Sequence, residues 1–575
     1  MSIVRKHRQL IFIIPLALLV FVCTFIVFRE LTGRSERAEH NSEVLNATCG
    51  PLRGNIYRHG EKVVDGYLGI PFAKPPIGSL RFKKPVAAEK WAEPRDCYQY
   101  GPGCPQSGNF GRTLPDSLEF AEDNCLTVNV FAPRSNSTEF PKGLPVMVYF
   151  YGGGFEVGFS SFFNDYILTG TLPLKDVVVV TVNYRVGPLG FLTTGDDVAR
   201  GNYGLWDQTL ALKWVQEHIA SFGGDPGSVT IFGTSAGGAS ADFLALSPHS
   251  NELFHRFIAS SGTAFCDFAI RTRAEEARIF RDFAKHHGYS GEDSESLLKW
   301  YESQPSSKFR ETEDFQSNAS GFLFFVPNLD DDFFPKPLDE LRKEAPMDVI
   351  VTVGEYEGLG WNSYNPEKYE NVTENFEAAI ATAFGPDLVE NPEEVRRKIL
   401  EFYLEEVDAT DKEAVTRKLI EFIGDSWFNI GALDAVKSCA KYGSSAYLAS
   451  FDYFNPNVYH PKTDNFAFLA ASHGSELKYI MGQGYGEFDP NEEEFQVMDM
   501  MGNFVTNFAK YGNPNGKEGP EVWEKYSLSQ PNRYFKIDYP KSEMRENFQN
   551  GRMRIYEDIN ETGKKYQEIV YGNKL

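Results

Sequence analysis

Ser235 lies in the stretch 229–240, V-T-I-F-G-T-S-A-G-G-A-S, where a short apolar run of β type drops into a small-residue segment able to start a helix. Gly233 and Gly237 flank the serine in a G-x-S-x-G turn. The turn is so tight that side chains at the two glycine positions would collide with the strand or the helix behind it. The serine hydroxyl is a nucleophile only if a base takes its proton and an acid fixes the tautomer of that base and stabilises its charge. Glu357 and then His473 follow Ser235 in the acid-then-base order that accompanies such turns. With ten histidines and 50 glycines in the chain, order alone decides little, so the surrounding residues must. Gly152, Gly153 and Gly154 close an apolar run and leave backbone N–H groups uncovered by side chains, as stabilisation of an oxyanion requires. Together these residues point to acyl transfer through a serine, with no metal and no cofactor.

Positioning such distant residues is work for buried strands. Residues 145–151 (P-V-M-V-Y-F-Y), 177–182, 229–232, 257–261, 349–353 and 446–451 are short apolar runs, the pattern of strands buried on both faces of a parallel sheet. Between them, residues 204–222 carry Leu205, Leu212, Val215 and Ile219 at helical spacing. Strand, helix, strand, serine turn, helix is the alternating order of a doubly wound α/β sheet. Each chemically interesting residue lies just beyond a strand end, where loops remote in sequence converge. The proline and glycine density of residues 66–85 predicts an irregular loop. Arg81 and Glu122 are read as an ion pair or, by default, as two solvated charges.

The formal net charge of −23 disfavours nucleic acid and anionic lipid surfaces as partners and suits a small-molecule substrate. Arg5, Lys6 and Arg8 precede an apolar run from Leu10 to Phe28 that is long enough to span a bilayer, and Arg29 closes it. The expectation is a signal anchor with its basic end cytosolic and the remainder luminal or extracellular, the alternative being secretion after cleavage. Sequons at Asn46, Asn136, Asn318, Asn371 and Asn560 agree with the secretory route. Six cysteines follow the apolar run, with no pairing readable from sequence. The expected organisation is a stub and transmembrane helix over 1–29, a polar stalk over 30–44, one large domain over 45–540 and a charged, peripheral tail over 541–575. Oligomeric state is not legible.

From about residue 50 to 534 the chain resembles a type-B carboxylesterase of the carboxylesterase/cholinesterase family. The resemblance rests on G-I-P-F-A-K-P-P at 69–76, E-D-N-C-L-T-V-N-V at 122–130, G-G-G-F at 152–155 and G-N-Y-G-L-W-D-Q at 201–208. It continues with F-G-G-D-P at 222–226, G-T-S-A-G-G-A-S at 233–240, H-G-S-E-L at 473–477 and G-N-P-N at 512–515. It implies an α/β-hydrolase fold, a mostly parallel twisted sheet flanked by helices in a single large domain behind the N-terminal transmembrane helix. It also implies a serine esterase in which Glu357, before Gly358, is the acid in preference to Glu355, and His473 is the base. The amides of Gly153, Gly154 and Ala236 would form the oxyanion hole, and Cys104 would pair with Cys125. The chain departs from the pattern at Thr234, where relatives usually carry glutamate, at Asn124 within the usual E-D-C-L, and at Tyr151, where many carboxylesterases have histidine. Choline-binding members of the family carry a tryptophan in the loop ending at the E-D-C-L cysteine and none lies between Cys104 and Cys125, so the resemblance implies that choline esters are poor candidates. The alternatives are a tethered cholinesterase-like adhesion protein and a lipase.

Overall fold

The apolar runs become the middle of one sheet. In a computed structural model, which describes residues 38–572 apart from 107–118, 312–314, 316–322, 363–370, 387, 459–466 and 483–489, twelve strands form it. These are β1 (Glu39–His40), β2 (Asn55–His59), β3 (Lys62–Pro71), β4 (Thr127–Pro133), β5 (Leu144–Phe150), β6 (Val178–Val182), β7 (Gly224–Thr234), β8 (Arg256–Ser260), β9 (Asp348–Gly354), β10 (Ala446–Phe451), β11 (Tyr534–Ile537) and β12 (Glu543–Arg545). Their spatial order is β1-β2-β3-β4-β6-β5-β7-β8-β9-β10-β11-β12. From β6 to β11 every neighbouring pair is parallel. The pairs outside that block are antiparallel.

Strands β5, β6 and β10 are buried along their whole length, because helices cover both faces. Helix α1 (Tyr203–His218) buries Leu205, Leu212 and Val215 as its spacing predicts, but Trp206, Trp214, Asp207 and Gln208 are buried too. Helix α2 (Ala236–Leu246), directly after the serine, has every residue buried. A helix this apolar cannot face water and belongs in the middle of the molecule.

Three expectations change. Residues 66–71 belong to β3 rather than to a loop, with a register shift between Tyr67 and Ile70 that accommodates Gly69 at φ +68°. Glu39 and His40, placed in the stalk, pair with Ile56 and Asn55 as an edge strand. The tail is not peripheral: β12 closes the sheet, and Phe548, Met553, Tyr556, Ile559, Ile569 and Val570 are buried in the main core. Apolar residues recur there among charges, and the charges mask the pattern when composition alone is read. Residues 1–29, where the transmembrane helix is expected, lie outside the described residues. Among the described residues no helix is long and apolar enough to cross a membrane.

Candidate active site

Strand β7 delivers Ser235. The serine has φ +61° and ψ −129°, a conformation that a non-glycine residue holds only when its surroundings enforce it. The enforcement is visible on both sides. The Ser235 amide donates to the Ser260 carbonyl at 2.8 Å, and a Cβ on Gly237 would stand 2.1 Å from the Phe150 carbonyl oxygen. Strand β5 ends on the same spot, since a Cβ on Gly152 would meet the Ser235 Cβ at 3.0 Å. The glycine turn therefore lies directly against Ser235. Gly153 and Gly154 have φ +120° and +63°, and Ala236 is the first residue of α2, where helix amides lack intrahelical partners and favour negative charge.

Strand β9 delivers Glu357, and the loop after β10 delivers His473. An isolated parallel bridge between Tyr356 and Ser472 stitches the two loops together, with the Tyr356 amide donating to the Ala471 carbonyl at 3.0 Å. The bridge brings Glu357 Oε2 to 2.6 Å from His473 Nδ1. Glu357 is wholly buried, and its other oxygen accepts from Ser261 Oγ at 2.6 Å and from the Gly354 amide. These bonds hold the carboxylate in one orientation and thereby fix the imidazole that it meets. Phe428, from the π-helical turn Asp425–Asn429, packs on the ring with centroids 4.5 Å apart. Ring and carboxyl are thus each held by contacts beyond the one they share.

Glu355 is not brought to His473. Its surroundings are Asp452, Asp538, Lys536 and Arg417, and burial, with the Asp452 charge second, pushes its carboxyl up to about 7.

Several residues at the site carry little signal in the sequence. Ser261 is an ordinary serine after β8. Glu476 stands in the quoted H-G-S-E-L motif, three residues after the histidine, and is wholly buried; its Oε1 accepts from Thr234 Oγ1 at 3.3 Å. Burial first, and the Glu357 charge second, push the Glu476 carboxyl up to about 7. The threonine that replaces the usual glutamate is thus itself tied to a carboxyl. Tyr151, the other departure, stacks on Tyr184 at 4.2 Å, and each hydroxyl donates to the carbonyl of the other residue, at 2.6 and 2.7 Å.

The structure joins Cys104 to Cys125. Cys49, Cys97, Cys266 and Cys439 are buried thiols, and burial pushes the last three up to about 12. Thiols so far from thiolate character do not compete with the serine as nucleophiles. Arg81 and Glu122 form a doubly bonded ion pair with each side chain 12% exposed, so the reading as solvated charges is set aside. Of the sequons, Asn46, Asn136 and Asn371 are exposed. Asn560 is half-buried and donates to Asp434 at 3.1 Å, while Asn318 lies outside the described residues.

Comparison with known proteins gives one consistent result. The model for the carboxylesterase family matches residues 41–556. The chain is 54% identical over 540 residues to esterase cest-33 of Caenorhabditis elegans, which covers 93% of this chain and 97% of that protein. It is 32% identical to a medium-chain fatty acyl-CoA hydrolase precursor of Anas platyrhynchos, covering 88% and 90%. It is also 32% identical to the cholinesterase of Mus musculus, covering 87% and 84%.

Proposed function

The chain belongs to the carboxylesterase family and is a carboxylic ester hydrolase, and we propose that it acts through an acyl-enzyme on Ser235. His473 takes the serine proton through Nε2 while Glu357 holds Nδ1 and stabilises the imidazolium. The serine oxygen attacks the ester carbonyl, and the amides of Gly153, Gly154 and Ala236 hold the oxyanion that develops. His473 then protonates the departing alcohol. Water, deprotonated by the same ring, releases the acid and restores the serine. The observation that carries this reading is the buried 2.6 Å contact between Glu357 and His473 in a loop pair bridged beside a strained serine. Ser235→Ala lowers kcat on a p-nitrophenyl ester by about a million-fold on this account. A variant retaining even a tenth of wild-type turnover contradicts it.

Substrates in this proposal are neutral carboxylic esters. The carboxylate that would attract a cation beside the nucleophile is replaced by Thr234, and the Glu476 behind it is favoured in its neutral form by burial. The proposal also places the catalytic domain on the luminal or extracellular side of a membrane, tethered through residues 10–28. Support comes from the uncharged apolar run with its basic flank and from the Cys104–Cys125 disulfide, which an oxidising compartment allows.

A further inference from the structure

Glu156 follows the oxyanion turn directly, two residues after Gly154, yet its side chain does not point to solvent. The residue is only 8% exposed. Its Oε1 accepts from the Phe324 amide at 2.6 Å and from the Phe325 amide at 3.3 Å. The same segment is gripped by two more buried charges. Arg271 donates to the Leu323 and Phe324 carbonyls and, at 2.9 Å, to Glu276 Oε2, while Glu276 Oε1 accepts from the Val326 amide at 3.0 Å. Backbone bonds from the Arg271 amide to Pro327 and from the Leu329 amide to Arg271 complete the clamp.

One side of this clamp is the turn itself. The Glu156 and Val157 amides both donate to the Gly153 carbonyl, at 3.1 and 3.0 Å, so the Glu156 backbone is part of the fold that aims the Gly153 and Gly154 amides. On the other side, the segment from Leu323 to Leu329 is hydrogen-bonded to Arg271 and to Glu276, which lies on the helix Arg273–His286 that opens with a capping box. Three ionisable groups removed from water are a costly way to gain stability, and an apolar cluster of equal volume serves at least as well. What these groups add is direction: a buried carboxyl oxygen that accepts from two successive backbone amides fixes the position of the backbone carrying it.

From this geometry, and resting on the oxyanion role proposed for Gly153 and Gly154, we infer that Glu156 is a positioning residue for catalysis. Its carboxylate anchors the oxyanion turn to the segment 323–326, and so sets the placement of the two glycine amides relative to Ser235. It touches neither substrate nor reacting atoms. Its effect falls on the transition state, where oxyanion donors act, and not on ground-state binding.

The test is steady-state hydrolysis of p-nitrophenyl butyrate by the full chain, with the active serines of each variant counted by end-point fluorophosphonate labelling. Glu156→Gln keeps the shape and one acceptor oxygen but removes the charge, whereas Glu156→Ala removes the acceptor. Turnover per labelled serine should fall about tenfold in Glu156→Gln and about a hundredfold in Glu156→Ala, with KM close to wild type. A fall of about threefold or less in Glu156→Gln overturns the inference, whatever the yield of folded protein, because a purely structural role changes the number of labelled serines and not their individual rate. A wild-type chain that hydrolysed the ester without labelling Ser235 would fail the underlying reading instead, so the two failures are distinguishable.

Discussion

Two carboxyls flank His473, and their surroundings give them different tasks. Glu357 meets His473 Nδ1 and accepts from two further donors, an arrangement that holds its carboxyl in one orientation against the ring. Glu476 receives one threonine hydroxyl, and its second oxygen has no hydrogen-bond partner among the described residues. Burial first, and the nearby Glu357 charge second, disfavour the ionised form of Glu476. Glu357→Gln therefore removes the group that selects the tautomer, with kcat falling about a thousandfold to ten-thousandfold. Glu355→Gln alters a carboxyl turned toward Asp452 and Lys536, and leaves kcat within about threefold of wild type. Parallel kinetics of the two variants check the assignment, and comparable losses in both would contradict it.

At the scale of elements, the parallel centre of the sheet was legible and its margins were not. The strands ending at Phe150, Val182, Thr234, Ser260, Gly354 and Phe451 are dense in β-branched and aromatic residues, because both their faces are covered. Strands β2, β3 and β4 pair antiparallel near one edge, where Gly66 and Pro71 read as loop residues although the ladder includes them, with Gly69 in the bulge between. Ser235 was legible because its turn demands glycines on either side. Ser261, Phe428 and Glu156 were not, because each is placed by a loop or helix whose register is a tertiary matter. The C-terminal helix Arg554–Thr562 adds a consequence for modification. Asn560 on that helix donates to the half-buried Asp434, which also accepts from the Tyr566 hydroxyl at 2.9 Å. A glycan on this nitrogen would break the hydrogen bond to Asp434. Glycopeptide mass spectrometry should find Asn46, Asn136 and Asn371 occupied and Asn560 bare. A glycan on Asn560 would contradict the packing described for the C-terminal segment.

Across the whole molecule, a net charge of −23 is borne by a surface whose interior also holds acids of raised pKa. Glu156, Glu276, Glu355 and Glu476 are all pushed up to about 7, with burial the largest cause in each. A carboxyl raised in the folded state contributes stability that is fully present below its unfolded pKa and is lost as pH rises through the folded one. For Glu476 that window runs from 4.5 to about 7. Glu476→Gln stays neutral throughout, so it should gain stability on the wild type by about 2 to 3 kcal/mol between pH 4.5 and pH 8. Denaturant unfolding of both proteins across this range measures the difference, and parallel stability profiles would show that Glu476 does not titrate as described.

All of these residues serve one claim, that Ser235 becomes acylated during ester hydrolysis. The most direct test treats the full chain with a fluorophosphonate and locates the adduct by peptide mass spectrometry. The structure predicts a single covalent adduct, on Ser235 in the peptide containing G-T-S-A-G, and its loss in Ser235→Ala. An active preparation whose adduct maps to another residue, or that acquires none, would contradict the account.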